Sequence, residues 1–117
     1  MIETKFNFTR TDGKTVEKIV EDERVAINHL VLPQGEALPE HRANSFVHMI
    51  VVRGILTLEL EGQEEQQYPA GSIVAIPYRT RMHPQNRDDG VLEFFVIKAP
   101  SPKTIKQQGS ECSSCSG

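Results

Sequence analysis

Histidines whose spacing could build a binding or catalytic centre lie in two stretches bounded by glycines. Residues 35–54 carry His41 and His48, and residues 71–86 carry His83. Imidazole is a common metal ligand, and a catalytic transition-metal site normally needs about three protein ligands with an open position for water or substrate. The three histidines are therefore candidate ligands. The alternative is that none of them binds a metal. His41 would then lie at the mouth of the fold, His48 in an interface and His83 in a loop.

Cationic side chains gather in the second stretch, where Arg79 and Arg81 precede His83 and Arg87 follows it. A planar guanidinium fits a carboxylate or a phosphate, so one interpretation is an anionic small ligand held at the mouth of the fold. The other is a solvated loop that balances the glutamates of residues 61–65.

Glu93 lies in the otherwise apolar run of residues 91–98. An unpaired buried carboxylate is costly. If Glu93 faces inward it therefore needs a partner, such as His41 or an arginine. A role as catalytic base is the alternative.

The two cysteines, Cys112 and Cys115, form a C-x-x-C in a Ser- and Gly-rich tail. Two thiolates are half of a tetrahedral zinc site, and the same spacing could close as a redox disulfide. Because both cysteines lie at one end of the chain, a disulfide-stapled secreted scaffold is excluded.

The elements that must position these residues are strands. Apolar residues nowhere recur at helical spacing over the ten or more positions that a helix needs. Short β-branched or alternating runs instead follow one another with turn residues between them, which is typical of an all-β sandwich or barrel. The expected organisation is N-terminal strands at 1–23, a barrel at 24–102 and a flexible Cys-containing tail at 103–117. The expected strands are residues 3–10, 15–20, 24–32, 46–52, 55–61, 73–76 and 91–98.

Composition narrows the classes of function. The 117 residues are enough for one core without metal or disulfide staples. A net charge of −3 argues against a nucleic-acid or anionic-membrane surface. No apolar run approaches the ~20 residues of a membrane span, and the start lacks the pattern of a signal peptide. We expect a cytoplasmic protein.

At the two glycine-bounded stretches the chain resembles the cupin superfamily of double-stranded β-helix, or jelly-roll, barrels. The first cupin motif, G-x5-H-x-H-x3,4-E-x6-G, is matched by Gly35, His41 and Gly54. The second, G-x5-P-x-G-x2-H-x3-N, is matched by residues Gly71, Pro77 and Asn86. The resemblance covers roughly residues 24–98 and implies the barrel fold.

The resemblance also implies which metal ligands are missing. Metal-binding cupins hold a divalent transition metal with three histidines and one carboxylate. Here His41 keeps the first position, but the other three are occupied by Ala43, Val47 and Met82, and the inner glycine of the second motif is Arg79. One imidazole does not hold such an ion.

A displaced metal site is the alternative. His48 and His83 each lie one residue beyond a lost ligand position. A shift of one residue turns a strand side chain to the opposite face, so His48 and His83 should point away from the interior unless a β-bulge restores each.

The leading hypothesis is a small-molecule binding or sensing module without the usual metal centre. The expected ligand-binding residues are His41, Ala43, Val47, Met49 and Met82 in the pocket, with Arg79 at its rim. The rival is a metal-dependent oxygenase- or isomerase-type enzyme that uses the displaced histidine site. A third possibility is a barrel that mainly serves assembly. Because residues 46–52 are apolar on both faces, we expect a homodimer.

Overall fold

The structure, a computed structural model, describes residues 2–105. They form nine strands and one helical turn at residues 102–105, and no helix among them is long and apolar enough to cross a membrane. The predicted all-β class is confirmed. Apart from residues 103–105, the predicted tail with Cys112 and Cys115 lies outside the described residues. The strands are β1 (Thr15–Glu21), β2 (Ala26–Leu32), β3 (His41–Arg42), β4 (Val47–Arg53), β5 (Ile55–Leu60), β6 (Gln66–Pro69), β7 (Ile73–Ile76), β8 (Arg81–Gln85) and β9 (Leu92–Lys98).

Two antiparallel sheets enclose the core. One has five strands in the order β1-β2-β9-β4-β7, and the other has four in the order β3-β8-β5-β6. Side chains alternate between the two faces of each strand, so every second residue of the central strands points between the sheets. The fully buried apolar side chains include Leu32, Val51, Leu56, Leu58, Leu92 and Phe94.

The β4 strand is apolar on both faces but buried on only one within a single chain. Val47, Met49 and Val51 point into the core with at most 2% of their surface exposed. On the outer face Phe46 and Val52 are 52% and 46% exposed. The second apolar face of β4 is therefore uncovered within a single chain.

The predicted first strand, at residues 3–10, is absent. No strand precedes β1 in the part of the chain that the structure describes. This segment instead crosses the outer face of the five-stranded sheet, where the Phe8 ring lies 5.0 Å from that of Phe95. The Thr9 amide donates to the Glu17 carboxylate. Aromatic packing, rather than strand pairing, holds this arm in place.

Three strands, β3, β6 and β8, lie where the sequence predicts no strand. β6 and β8 flank β5 on its two sides, with Leu56 opposite Tyr68 and Glu59 opposite His83. His83 is therefore a strand residue and not part of a rim loop. The predicted alternation of β5 is confirmed, since Leu56 and Leu58 are fully buried.

Asn86, the asparagine of the second motif, ties two strand ends together. Its buried Nδ2 donates to the carbonyls of Leu32 and Gly90, at 2.7 and 2.8 Å. Its Oδ1 accepts from the Asp88 amide at 3.0 Å. Because every polar atom of the amide is paired, we assign Asn86 a structural role.

Candidate functional site

A cavity of about 180 Å³ opens between the two sheets. It is larger than the roughly 10–15 Å³ needed by one water and smaller than the roughly 300–1,000 Å³ of pockets for drug-sized ligands. Five of the six predicted site residues share its lining, and these are His41, Ala43, Val47, Met49 and Met82.

Strand register brings these five residues together. His41 pairs with Met82 across β3 and β8, while Val47 and Met49 are alternate inward residues of β4. Ala43 is anchored by its backbone, because its amide donates to the Thr80 carbonyl at 2.8 Å. Ala43, Val47, Met49 and Met82 are each at most 2% exposed. The cavity floor is thus apolar and fixed in position.

His41 is the exposed polar residue among the five. Its Nδ1 lies 2.8 Å from the Pro39 carbonyl oxygen. A carbonyl only accepts hydrogen bonds, so Nδ1 must carry the proton. The neutral ring then presents Nε2 as an acceptor. The neighbouring carboxylate, Glu40, pairs with Arg81 instead of His41.

Arg79 does not line the cavity. It is exposed and has a left-handed backbone with φ of 71°, a conformation that favours glycine, which is the residue the motif has at this position. Its amide donates to the Ala43 carbonyl at 2.8 Å. Arg87 pairs with Glu65 at 2.6 Å. Arg81 and Arg87 are thus both paired with glutamates, as the interpretation of these arginines as charge-balancing residues predicts.

Three polar lining residues, Asn28, Asn44 and Lys98, are not among the residues that the sequence predicts for the site. Burial disfavours the charged ammonium and lowers the pKa of Lys98, and the nearby Lys18 lowers it further, while Glu21 opposes the shift. The alternation of residues 92–98 was a usable signal, because it places Lys98 on the same inward face as Phe94 and Val96.

The donor set does not fit a divalent transition metal. Of the four family ligand positions, His41 offers an imidazole and Met82 a thioether, while Ala43 and Val47 offer no donor atom. Transition-metal sites normally need about three such ligands. Among residues 2–105 no three His, Cys, Asp or Glu side chains are placed to hold an ion.

The displaced histidines are not brought to His41 either. His48 lies on the outer face of β4, opposite Ile97 and Ala75, and is exposed. The His83 Nδ1 lies 3.9 Å from a Glu59 carboxylate oxygen. No bulge turns either side chain into the cavity.

A second cluster of charged groups lies on the outer face of the five-stranded sheet. Glu93 faces outward, and its two oxygens contact His29 and Arg53, at 2.6 and 3.2 Å. Arg53 also reaches Asp12 at 2.6 Å. The predicted arginine partner of Glu93 is present, and its histidine partner is His29 instead of His41. Because these charges are already paired with one another, we do not take the hollow beside them as the binding site.

Comparisons with known proteins support the fold. An uncharacterized protein of Methanocaldococcus jannaschii is 50% identical over 107 residues, which cover 90% of this chain and 91% of the relative. The crystal structure of an RmlC-like cupin family protein from the same organism superposes with a TM-score of 0.87 at 48% identity, covering 91% of this chain and 98% of the other.

A more distant structure shares the fold alone. A cupin superfamily protein of Desulfitobacterium hafniense has a TM-score of 0.68 at 12% identity, covering 80% of this chain and 83% of the other. No family model matches the sequence. The identity to the archaeal relative extends across nearly the whole of both chains, and together with the shared double-stranded β-helix it makes this protein a member of the RmlC-like cupin family.

Proposed function

We propose that the chain is a cytoplasmic binding or sensing module for a small molecule, with the cavity as its binding site and without a metal centre. The observation that carries the proposal is an apolar cavity at the place where the family's metal ligands would stand. Protein interiors are normally packed to the density of organic crystals, and unfilled volume costs about 24 cal/mol per Å³. A cavity of about 180 Å³ that opens beside the exposed His41 departs from this ordinary packing and is accessible to a ligand.

The lining supports a ligand with a mainly apolar body. Ala43, Val47, Met49 and Met82 supply aliphatic and thioether contacts, and methionine adapts to irregular shapes. The polar lining residues are few, namely His41, Asn28, Asn44 and Lys98, as in most small-molecule sites, where a small number of placed polar groups orients the ligand.

Filling the cavity tests this proposal. Wild type and the variant Ala43→Leu are screened by thermal shift against a library of small carboxylates and sugars. A ligand at a hundredfold excess over its Kd contributes about 2.7 kcal/mol, which is a Tm increase of about 10 °C for a domain of this size. We expect that increase in wild type and its loss in Ala43→Leu.

The matched control is Ala70→Leu, which adds the same atoms to an exposed turn. This variant should keep the wild-type increase. The proposal is wrong if no compound stabilises wild type, or if Ala43→Leu responds as wild type does.

The rival metal-dependent enzyme is tested by metal analysis of the untagged protein. Stoichiometric transition metal that disappears in His41→Ala would overturn the metal-free proposal and favour the enzyme. Metal lost only when Cys112 and Cys115 are both replaced by serine would leave the cavity metal-free and assign the ion to the C-terminal residues.

We also propose that two copies associate through the outer face of β4 and β7. Phe46 and Ile73 are 52% and 67% exposed there, and Ile73 pairs with the apolar Ile50. β7 is an edge strand of the five-stranded sheet in the described chain. An exposed apolar edge strand favours association with another chain. A homodimer would cover the second apolar face of β4.

Light scattering after size exclusion tests the dimer. Wild type should have twice the 13.1 kDa chain mass, and Ile73→Glu should have the mass of one chain, because the new charge would have to be buried. Gln67→Glu, at the edge strand of the other sheet, should stay dimeric. A monomeric wild type would rule out the proposal.

A further inference from the structure

We infer that the ligand of this cavity is a small monocarboxylic acid with an apolar body, and that Lys98 holds its carboxylate. The inference rests on the proposed function and adds a chemical class to it. Three features of the cavity carry it, namely the charge of its lining, the surroundings of Lys98 and the amide of Asn28.

The lining carries charge of only one sign. Among the described residues around the cavity, Lys98 is the one lysine or arginine, and none is aspartate or glutamate. The chain as a whole has 16 acidic residues against 13 lysines and arginines, so a lining without carboxylates does not follow from composition. A site with one cation and no acid favours an anion over a cation or a zwitterion.

Lys98 points inward between apolar neighbours. In the strand register it lies beside Ala26 on β2 and Val47 on β4, which are 4% and 1% exposed. No carboxylate of residues 2–105 lies within ion-pair distance of its ammonium group. The nearby acid, Glu21, pairs with Lys18 at 3.6 Å instead.

A partly buried ammonium without a counter-ion is unfavourable. The lowered pKa of Lys98 has that origin. A bound carboxylate would supply the missing partner through a charge-assisted hydrogen bond, which is roughly twice as strong as a neutral one.

Asn28 supplies a second donor on the same inward face. Asn28 of β2 pairs with Val96 of β9, which lies two residues before Lys98 on the same face of the strand. Its side-chain amide can donate to the second carboxylate oxygen. One cation and one amide match the single charge of a carboxylate, whereas a doubly charged phosphate would require more cations than the lining has.

The experiment compares acids with their uncharged amides. Straight and branched aliphatic acids of about four to eight carbons, with the matched primary amides, are titrated by calorimetry against wild type, Lys98→Met, Lys98→Arg and Lys18→Met at one ionic strength. A charge-assisted hydrogen bond should make the best acid about tenfold tighter than its amide in wild type.

Lys98→Met should reduce that acid to the affinity of its amide, and Lys98→Arg should retain most of the preference. Lys18→Met, which removes an exposed lysine nearby, should change affinity less than twofold. Unchanged circular dichroism and a Tm no lower than that of wild type in Lys98→Met would show that the loss is not unfolding.

Two failures are distinguishable. If acids and amides bind equally and both are blocked by Ala43→Leu, the cavity is a binding site but the carboxylate assignment is wrong. If no acid or amide binds, and no compound of the wider library does, both the assignment and the proposed function are wrong.

Discussion

Replacing Gly54 with alanine should lower the free energy of unfolding by about 2–5 kcal/mol. The backbone of Gly54 has φ of +81°, and an added Cβ would lie 2.3 Å from the Val91 carbonyl oxygen and 3.0 Å from the Leu92 Cα. The left-handed conformation costs an L-residue roughly 1–2 kcal/mol, and overpacking costs roughly a further 1–3 kcal/mol. Both neighbours are backbone atoms, so no side-chain rotation relieves the clash.

Gly62→Ala is the matched control for this prediction. Gly62 has a similar φ of +76°, but nothing lies within 4 Å of the position of its added Cβ. The free energy of unfolding of Gly62→Ala should therefore fall only by the cost of the left-handed conformation, roughly 1–2 kcal/mol. Urea unfolding of both variants gives the difference. Equal losses would show that the approach to Val91 does not matter.

Gly54 illustrates what could be predicted from the sequence and what could not. The glycine is recognisable as a strand breaker and as the end of the first motif. The reason it must be glycine is the close approach of Val91, which lies in a different part of the chain. Only the pairing of β4 with β9 brings the two together, and local sequence contains no record of that pairing.

The same distinction explains the strand predictions. The runs of β2, β5 and β9 are recognisable as strands because each carries apolar side chains that enter the core. The segments Gln66–Pro69 and Arg81–Gln85 were missed because they are mostly polar and obtain their strand conformation from pairing with β5. Residues 3–10 alternate as a strand would, but their aromatic residues pack on a sheet surface instead.

The cavity was predictable to the extent that it depends on the two motifs. Motif spacing identified Ala43, Val47 and Met82, whereas Asn28 and Lys98 enter through β2 and β9, outside both motifs. Their place in the cavity lining depends on how β2 and β4 pair with β9. In that register Asn28 of β2 and Met49 of β4 are both paired with Val96. Such a register between distant strands is a property of the fold, so spacing along the chain could not reveal it.

The second large effect is expected at His29, where substitution by alanine should cost about 3–5 kcal/mol. The ring is fully buried, with Nδ1 3.0 Å from a Glu17 oxygen and Nε2 2.6 Å from a Glu93 oxygen. Carboxylates only accept hydrogen bonds, so both nitrogens donate and the ring is an imidazolium. Removing it leaves two carboxylates without their shared cation, and breaking a buried pair costs about 3–5 kcal/mol.

His41→Ala is the matched control, because His41 is an exposed histidine and its loss should cost less than about 0.5 kcal/mol. Equal losses at the two positions would contradict the role assigned to His29.

The pH dependence of stability gives an independent test of the same contact. The hydrogen bond from His29 is the largest cause that lowers the pKa of Glu17 below its ordinary value of 4.5. A lowered carboxylate pKa stabilises the fold above the unfolded value, and that contribution is lost as pH falls through the lower folded value. Urea midpoints between about pH 3 and 7 should therefore fall more steeply in wild type than in His29→Ala. The variant lacks the largest cause of the lowered Glu17 pKa and keeps only the smaller contribution of the Thr9 hydrogen bonds. Parallel acid limbs would therefore assign the lowered pKa to Thr9 instead of His29.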